Sequence, residues 1–485
     1  MAYTTINDSS AHLQTALYTG NGSSNAITND GNSNLRPDWL WTKNRSGTAN
    51  HKIFDSARGV TKFIESDTSD AEGTQANLLS SLDSDGFTLG SGGETNSGST
   101  NYVAWQWAAG GTAPTKTYRV VVVSDSGNKY RWRNSGNTAT FAQSAVTLDL
   151  QEGGTYTIDG SDSTMASHPI KLSTTANGTH GGGSSYNTGV VYKLDGSTVT
   201  ESAYVSGYAT ATTRQLVITV AASAPTLYYY CHYHSGMGGQ INTNTLFGST
   251  NFDGSVLSVV SVNSTAGFSI VRWTGTGSAI TIGHGLSSAP QWITAKNLNN
   301  TGGAASWPVY HRSMGSTGAE YYMKLDTDVA RIDSSGLWND TEPTSTVFTA
   351  NTSHQINASG GSFIAYCFTE VQGYSKFSGY TGSGTADGTF VYTGFKPSWL
   401  LIKRKTGVNH WHIFDDKRDP SNVISKQILA DLDNAEGSNT WLDITATGFK
   451  LRTTLVGVNG AEDYVYMAFG RSPLVATNDV VSTAR

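Results

Sequence analysis

The sharpest chemical signal in the sequence is a cysteine, a histidine and a methionine that follow one another at three-residue spacing. Residues 227–239 read L-Y-Y-Y-C-H-Y-H-S-G-M-G-G, so an apolar, strand-like run ends in Cys231, His234 and Met237. A further histidine, His168, lies upstream in the run S-H-P-I-K-L. A soft thiolate, imidazoles and a distant thioether together suit copper in either oxidation state.

This combination resembles the cupredoxins, Greek-key sandwiches whose copper is held by one upstream histidine and a Cys–His–Met loop. The resemblance implies a cupredoxin-like domain over residues 116–242. It also implies that His168, Cys231, His234 and Met237 are the copper ligands. The copper site is the one cofactor site that we predict.

A second interpretation of the same domain stays open. The fold could serve as a spacer without metal, with Cys231 buried and His168 bonded to a backbone carbonyl. The run T-T-A-N-G-T-H-G-G-G at 174–183 looks like a flexible loop rather than a compact sandwich connection. His180 and His232 fall outside the cupredoxin pattern, and we predict that both are solvated.

Two pairs of carboxylates are the best candidates for acid–base catalysis, namely Asp55 with Glu72 and Asp415 with Glu436. A glycosidase needs two carboxyl groups at a fixed separation across a cleft. Acidic residues in an A-E-G motif are more often used in turns and caps. Since the common hydrolase and phosphate-loop motifs are also missing from the sequence, we predict a protein that is not an enzyme, with a glycan-degrading enzyme as the alternative.

Acidic residues near the first A-E-G motif raise the question of calcium. Asp67, Asp70 and Glu72 could present carboxylates to a cation, but no liganding pattern of EF-hand quality is present. The sequence leaves a calcium site at this loop open.

Sugar binding through exposed aromatic rings is a more natural activity for this composition than catalysis. Trp132, Trp338 and Trp441 lie among polar residues, and we predict that they offer exposed faces to glycan rings. Three further tryptophans lie in apolar, strand-like runs and are predicted to be core residues: Trp39, Trp292 and Trp399.

A repeated domain must position most of these residues. A run that begins P-x-W and ends in lysine occurs at 37–43, 290–296 and 397–403, and each copy predicts a buried strand. In the first and third copies it is preceded by Y-T-G-x-G and followed by F-D-x-x-R, A-E-G and G-F-x-apolar. The second copy has Y-H-R where the others have F-D. A repeated strand with repeated flanks indicates a repeated domain.

The spacing of the copies predicts the domain layout. Trp399 follows Trp292 by 107 residues, whereas Trp292 follows Trp39 by 253, so a whole domain is inserted after the first copy. Short strands separated by Gly, Ser, Asn and Asp clusters predict an all-β chain of antiparallel, jelly-roll or lectin-like sandwiches. One short helical turn is also expected near 423–430. The predicted domains are sandwich repeats at 1–111, 245–372 and 373–475, the cupredoxin-like domain at 116–242, and a C-terminal tail at 476–485.

The five repeat motifs resemble a domain of unassigned chemistry in structural and tail-fibre proteins of tailed bacteriophages, especially marine ones. The resemblance covers roughly 1–111 and 245–475 and is weaker in the second copy. It implies a virion appendage, fibre or decoration protein at the particle surface. Its implied partners are other virion proteins and a host glycan or receptor, and its implied assembly is a homotrimer, by analogy with other fibres.

Composition excludes several other classes of protein. The chain has 485 residues with a net charge of −6, which gives no electrostatic footprint for nucleic acid. Two cysteines in different predicted domains make a disulfide framework improbable. The N-terminal residues have no signal-peptide pattern, and no apolar run approaches the length of a membrane span. If the protein works outside a cell, we therefore expect a route other than a signal peptide, and assembly into a virus particle is one such route.

Overall fold

The computed structural model describes residues 4–110, 113–244 and 248–473. It is nearly all β with mostly antiparallel sheets, which confirms the predicted fold class. Contacts within the chain divide the described residues into two compact units. The larger comprises 4–109, 262–280 and 286–473, and the smaller comprises the described part of 110–261 together with 281–285. The predicted tail at 476–485 lies outside the described residues.

The first repeat is built of nine strands and two short helices. The strands are β1 (Leu13–Thr19), β2 (Asn25–Ile27), β3 (Trp39–Asn44), β4 (Lys52–Asp55), β5 (Lys62–Phe63), β6 (Gly73–Thr74), β7 (Leu79–Asp83), β8 (Gly86–Leu89) and β9 (Asn101–Trp107). The helices are a 3-10 turn at Ser9–Ala11 and α1 at Gly93–Asn96.

The inserted stretch that follows adds strands β10 to β21 and one longer helix. The strands are β10 (Thr115–Ser124), β11 (Asn128–Trp132), β12 (Leu148–Gln151), β13 (Thr155–Asp159), β14 (Ile170–Ser173), β15 (Val190–Leu194), β16 (Ser197–Val199), β17 (Arg214–Thr219), β18 (Leu227–Cys231), β19 (Gly239–Asn244), β20 (Ser249–Asn251) and β21 (Ser258–Asn263). The helices are α2 (Glu201–Gly207) and 3-10 turns at Ser163–Met165 and Gly178–Gly181.

The second and third repeats complete the described chain. The second contains β22 (Phe268–Thr274), β23 (Ile280–Gly283), β24 (Trp292–Asn297), β25 (Pro308–His311), a 3-10 turn (Gly318–Glu320), β26 (Tyr321–Lys324), β27 (Ile332–Asp333), α3 (Ser335–Trp338), β28 (Val347–Ala350), α4 (His354–Asn357) and β29 (Ser362–Phe368). The third contains β30 (Ser375–Thr381), β31 (Phe390–Tyr392), β32 (Phe395–Arg404), β33 (Trp411–Asp415), β34 (Ile424–Leu429), β35 (Gly437–Thr445), β36 (Gly448–Leu451) and β37 (Asp463–Pro473).

Each repeat of the larger unit contains a sheet with the same strand order. The orders are β1-β9-β3-β4, β22-β29-β24-β25 and β30-β37-β32-β33. In every copy the tryptophan of the P-x-W run pairs with an aromatic residue of the last strand: Trp39 with Trp107, Trp292 with Phe368 and Trp399 with Phe469. In the third repeat the predicted helical turn is wrong, because residues 424–429 form β34 and pair with β33.

The P-x-W strand is buried on both faces, which explains its unbroken apolar run. Leu40 packs into the core of its own sandwich, whereas Trp39 points the other way and stacks on Tyr366 of the second repeat at 4.7 Å. Successive side chains of a strand point to opposite faces, so one strand serves two cores. The predicted burial of Trp39, Trp292 and Trp399 is confirmed at 1–2% exposure.

Aromatic side chains at the ends of these strands join all three repeats. Ring centroids of Trp39 and Phe368 are 5.8 Å apart, those of Trp107 and Trp399 5.3 Å, and those of Phe368 and Phe469 5.6 Å. Each pair of repeats therefore shares part of one aromatic core, beyond the cores of the separate sandwiches.

The smaller unit is a sandwich of two sheets with mixed pairing. One sheet has the order β11-β10-β13-β17-β15-β16 and the other β12-β19-β18-β14, and the pairs β10–β13 and β12–β19 are parallel. Its buried core includes Trp132, Tyr156, Leu216, Tyr229 and Ile241. No helix among the described residues is long and apolar enough to cross a membrane.

Candidate metal centre and contacts between repeats

Pairing of two strands brings the upstream histidine to the cysteine. In the β14–β18 ladder Ile170 lies opposite Cys231, and the backbone N–H of His232 donates to the carbonyl of Pro169 at 2.8 Å. His168, two residues before Ile170, is therefore held at the end of β18, where Cys231 ends the strand. A separation of 63 residues in sequence becomes a direct side-chain contact.

Three of the four predicted ligands converge. Among the described residues, His168, Cys231 and His234 form a set whose ligand atoms all lie within 4.8 Å of one another. Cys231 Sγ is 3.8 Å from His168 Nδ1 and 3.5 Å from His234 Nδ1. Metal–sulfur and metal–nitrogen bonds of about 2.3 and 2.0 Å at about 120° would separate sulfur and nitrogen by about 3.7 Å. The residues present therefore fit a trigonal thiolate–imidazole site.

Burial and protonation also suit metal binding. His168, Cys231 and Met237 are buried, and Met237 belongs to the same buried cluster as Cys231. Burial, together with the neighbouring His234, lowers the pKa of His168, which keeps its imidazole neutral and able to ligate. His234 is exposed, so the centre lies at the surface of the unit.

The remaining histidines and the glycine-rich run have defined places beside this centre. Residues 174–183 include the 3-10 turn at Gly178–Gly181. His180 is exposed, as predicted, yet its Nε2 donates to the carbonyl of Cys231 at 3.1 Å. His232 is half-buried, with burial lowering its pKa, so the prediction that it is simply solvated is wrong.

The predicted sugar platforms are wrong for all three tryptophans. Trp132 is 0%, Trp338 2% and Trp441 5% exposed. Each packs its ring against aromatic neighbours, for example Trp132 against Tyr229 at 5.2 Å. Polar neighbours in sequence misled the prediction for Trp132 and Trp441 because alternate residues of a strand face opposite ways, whereas Trp338 ends the short helix α3 with its ring packed inward.

The carboxylates considered for catalysis hold the repeats together. Asp55 is fully buried, accepts from Arg58 Nε at 2.6 Å, and accepts from the hydroxyl of Tyr366 in the second repeat at 2.7 Å. In the third repeat, Asp415 accepts from Arg418 Nε at 2.5 Å and from the indole N–H of Trp105, in the first repeat, at 3.0 Å.

The glutamates of the two A-E-G motifs also serve contacts between repeats. The backbone N–H of Glu72 donates to the carbonyl of Leu298 in the second repeat at 2.7 Å. The carboxylate of Glu436 accepts two hydrogen bonds from Arg45 of the first repeat, at 2.9 and 3.0 Å, and one from Arg418 at 3.2 Å. Asp67 and Asp70 do not join Glu72 in any ligand set among the described residues.

The interface between the second and third repeats explains why the second repeat departs from the F-D motif. Register places Met467 at the position of Trp105 and Tyr366, so no side-chain donor is available there. In the aspartate's place, His311 bonds through Nε2 to the carbonyl of Tyr466 at 3.1 Å. Met314 replaces the arginine of the other repeats. At this interface a histidine and a methionine together replace the aspartate and arginine of the other two repeats, so a neutral contact stands where the others have a buried ion pair.

Three buried lysines, unrecognised as functional in the sequence, end the P-x-W strands and contact neighbouring repeats. Burial lowers the pKa of each lysine to about 8. Each Nζ donates to a backbone carbonyl of a neighbouring repeat: Lys43 to Asp433, Lys296 to Thr68 and Lys403 to Asp328, at 3.0, 3.5 and 3.2 Å. The sequence shows each lysine at a strand exit, where a solvated charge is the ordinary expectation.

In each repeat a histidine or tryptophan at the start of the strand after the P-x-W strand makes a second hydrogen bond to the same neighbouring repeat. Each donates to a carbonyl of the repeat that the lysine reaches: His51 to Leu429, Trp307 to Glu65 and Trp411 to Lys324, at 2.9, 2.8 and 2.8 Å. The first repeat thus reaches the third, the second the first, and the third the second. A head-to-tail interface used three times closes a ring, here within one chain.

A buried asparagine explains the Y-T-G-x-G motif. Asn96 accepts from the backbone N–H of Asn21 at 3.0 Å and donates to the carbonyl of Gly90 at 2.8 Å. Asn357 and Asn459 hold the equivalent loops of the other repeats. A Cβ on Gly20 would lie 2.1 Å from the carbonyl oxygen of Ser97, so only glycine fits. The motif is therefore a structural requirement of the loop.

Comparison with known proteins places the chain in a family. A family model described as "Domain of unknown function (DUF7483)" matches residues 8–153 and 243–473. The chain belongs to this DUF7483 family. The DUF7483 match leaves out residues 154–242, which carry His168, Cys231, His234 and Met237. The candidate metal centre is therefore in a part of the chain that the family model does not describe.

The other comparisons add no function to the DUF7483 assignment. No curated protein matches the chain. A solved structure described as "Crystal Structure of the STIV MCP" is similar at 10% identity and a TM-score of 0.13, over 41% of this chain and 84% of that one. A TM-score this low is far below that of a shared fold.

Proposed function

We propose that this chain is a non-enzymatic structural protein of a tailed-phage particle, a tail fibre or another surface appendage that contacts the host or another particle protein. The observation that carries the proposal is the closed ring of three repeats. In that ring, Asp55, Asp415 and Glu436 serve as contacts between repeats. The five sequence motifs that resemble those of phage structural proteins support a phage particle as the place where this ring is used.

A ring of similar sandwiches suits attachment. One chain presents equivalent loops from three repeats, and hydrogen bonds from a buried lysine of each repeat join these repeats to one another. Weak contacts made by several copies multiply through effective concentration. Three repeats are thus arranged in a ring within each chain. Assembly of three such chains into a homotrimer is a separate proposal, which light scattering of the purified protein tests.

The location is tested on intact particles. Mass spectrometry of gradient-purified particles of the encoding phage should find the chain at a stoichiometric level, and antibody labelling in electron micrographs should place it on the outer surface. A chain recovered solely from the infected cell, and missing from the particles, would contradict the proposal.

The rival function as a glycan-degrading enzyme has its own test. Purified protein incubated with host polysaccharide should release no reducing ends above background. Release that is lost in Glu436→Gln but kept in Asp387→Asn, which changes an exposed aspartate, would establish the rival instead.

Copper binding is a second proposed function, favoured by the geometry of one site. His168, Cys231 and His234 would hold the ion, and Met237, buried in the same cluster as Cys231, would be the thioether available to it. Bound copper would supply one-electron redox chemistry. The burial of His168 and the 3.5 and 3.8 Å sulfur–nitrogen distances support this proposal.

Titration with copper(II) should produce an intense visible thiolate-to-copper band at one ion per chain. We expect Cys231→Ser to abolish the band, because the thiolate is its electron donor. Cys367→Ala is the matched control, since it removes the other cysteine of the chain, which is buried in the larger unit, and should leave the band unchanged. A band that survives Cys231→Ser would contradict the assignment.

A further inference from the structure

The segment that follows His168 folds back onto the loop that carries the other candidate ligands. Asn177 Nδ2 donates to the hydroxyl of Ser235 at 2.9 Å, and Asn177 Oδ1 accepts from the backbone N–H of Gly236 at 2.8 Å. Ser235 and Gly236 are the two residues between His234 and Met237. One side chain therefore holds the backbone that connects two candidate ligands.

Other contacts fix both ends of the same loop. At its start, His180 Nε2 donates to the carbonyl of Cys231. At its end, the backbone N–H of Tyr130 donates to the carbonyl of Met237 at 3.0 Å. The middle of the loop, residues 232–236, is mostly exposed; Asn177 reaches it from residues 174–183, and Lys129 Nζ donates to the carbonyl of Gly236 from β11.

The local backbone explains why asparagine stands at 177. Asn177 has φ +61° and Gly178 has φ +55°, so both lie in the left-handed region. A Cβ at 178 would lie 2.5 Å from the ring of Tyr230, which requires glycine there. Asparagine tolerates the left-handed region and offers one amide donor and one carbonyl acceptor. Both groups are used on the ligand loop.

We propose that Asn177 is a positioning residue for the metal centre, a role that rests on the proposed copper function. Its amide fixes residues 235 and 236, which holds the imidazole of His234 near Cys231 and keeps Met237 in the buried cluster. Because Asn177 follows His168 on the same segment, it also ties the upstream ligand to the loop that carries the other three. Partners outside the ligand set typically change metal affinity about 10–100-fold when removed.

Two substitutions separate the side chain from the backbone conformation. Asn177→Gly keeps the left-handed conformation and removes both hydrogen bonds. Asn177→Asp keeps an acceptor for the Gly236 N–H and loses the donor to Ser235. The matched control is Asn137→Gly in the same unit, because Asn137 also has positive φ (+55°) and its backbone N–H and carbonyl are hydrogen-bonded.

The experiment has a metal-free and a metal-loaded arm. Without metal, hydrogen–deuterium exchange of the peptide 232–238 should be at least about tenfold faster in Asn177→Gly than in the wild type and Asn137→Gly. With copper(II), a chelator competition should show affinity reduced by about 10–100-fold in Asn177→Gly, with a shifted electron paramagnetic resonance spectrum. Asn177→Asp should give an exchange rate and a copper affinity between those of the wild type and those of Asn177→Gly.

The outcomes distinguish this role from the copper proposal itself. Wild-type protein that binds no copper overturns the copper function. Wild-type protein that binds copper, with an Asn177→Gly variant of equal affinity and unchanged spectrum, overturns the positioning role. Unchanged exchange of the 232–238 peptide in Asn177→Gly overturns the claim that Asn177 holds the loop.

Discussion

Replacing Asp415 by alanine should lower the free energy of unfolding of the larger unit by about 3 kcal/mol or more. The side chains of Asp415 and Arg418 are both 0% exposed. Without the carboxylate, the guanidinium of Arg418 stays buried with Glu436, 3.2 Å away, as its remaining ion-pair partner. The indole N–H of Trp105 also loses its acceptor, which adds the cost of an unsatisfied buried donor.

Unfolding in guanidinium chloride, followed by tryptophan fluorescence, measures this loss, because every tryptophan except Trp132 lies in the larger unit. The double substitution Asp415→Ala/Arg418→Met should recover a large part of the loss, since it removes both charges and places methionine where the second repeat has Met314. The control Asp387→Ala removes an aspartate that is 80% exposed, and should leave the midpoint nearly unchanged. Equal midpoints for Asp415→Ala and Asp387→Ala would contradict the structural role of Asp415.

The sequence predicted local features of this fold well because they have local causes. Apolar runs, turn residues and repeated motifs predicted the strands and the three repeats. The Cys-x-x-His-x-x-Met spacing, with an upstream histidine, identified the residues that the structure brings together at His168, Cys231 and His234. Short-range spacing sets that loop, and one strand pairing adds the remaining histidine.

The contacts between repeats could not be predicted, because they join positions that no motif connects. Asp55 and Tyr366 are 311 residues apart in the chain, and nothing in the local sequence of either indicates the other. The buried lysines illustrate the same limit: a lysine at a strand exit is ordinarily solvated, and it becomes buried here because a neighbouring repeat covers it. Register within a strand also placed Trp132 inward despite its polar neighbours.

Acid should destabilise two contacts that the first and second repeats make with the third, because each contact depends on a buried histidine that must stay neutral. His51 Nδ1 accepts from the indole N–H of Trp41 at 2.8 Å while its Nε2–H donates to the carbonyl of Leu429. His311 has the same arrangement, with Nδ1 accepting from the backbone N–H of Ser313 at 3.0 Å. Protonation would turn each accepting nitrogen into a donor that faces another donor.

The sign of the pH effect follows from the pKa of each group. Burial, aided by nearby cations, lowers the pKa of His51 from 6.5 to about 3 and that of His311 to about 4. Between pH 6.5 and 4 the unfolded chain therefore binds protons that the folded chain does not, and stability falls as pH falls through this window. Burial raises the pKa of Asp67 to about 7, which acts in the opposite direction because the folded carboxyl then binds the extra proton.

The difference between wild type and a histidine variant isolates the effect from Asp67 and the other carboxylates. His311→Gln retains an amide N–H for the carbonyl of Tyr466 and does not titrate. Between pH 7 and 4.5 the wild type should lose about 2–3 kcal/mol of unfolding free energy relative to His311→Gln, since each pKa unit corresponds to about 1.4 kcal/mol. His51→Gln should behave similarly. His354→Gln is the control, because His354 Nε2 bonds to the carbonyl of Ala304 at 3.2 Å within the second repeat and, among the described residues, makes no contact between repeats, and the substitution should leave the wild-type pH profile unchanged. Parallel pH profiles for wild type and His311→Gln would show that the contact between the second and third repeats does not depend on a neutral histidine.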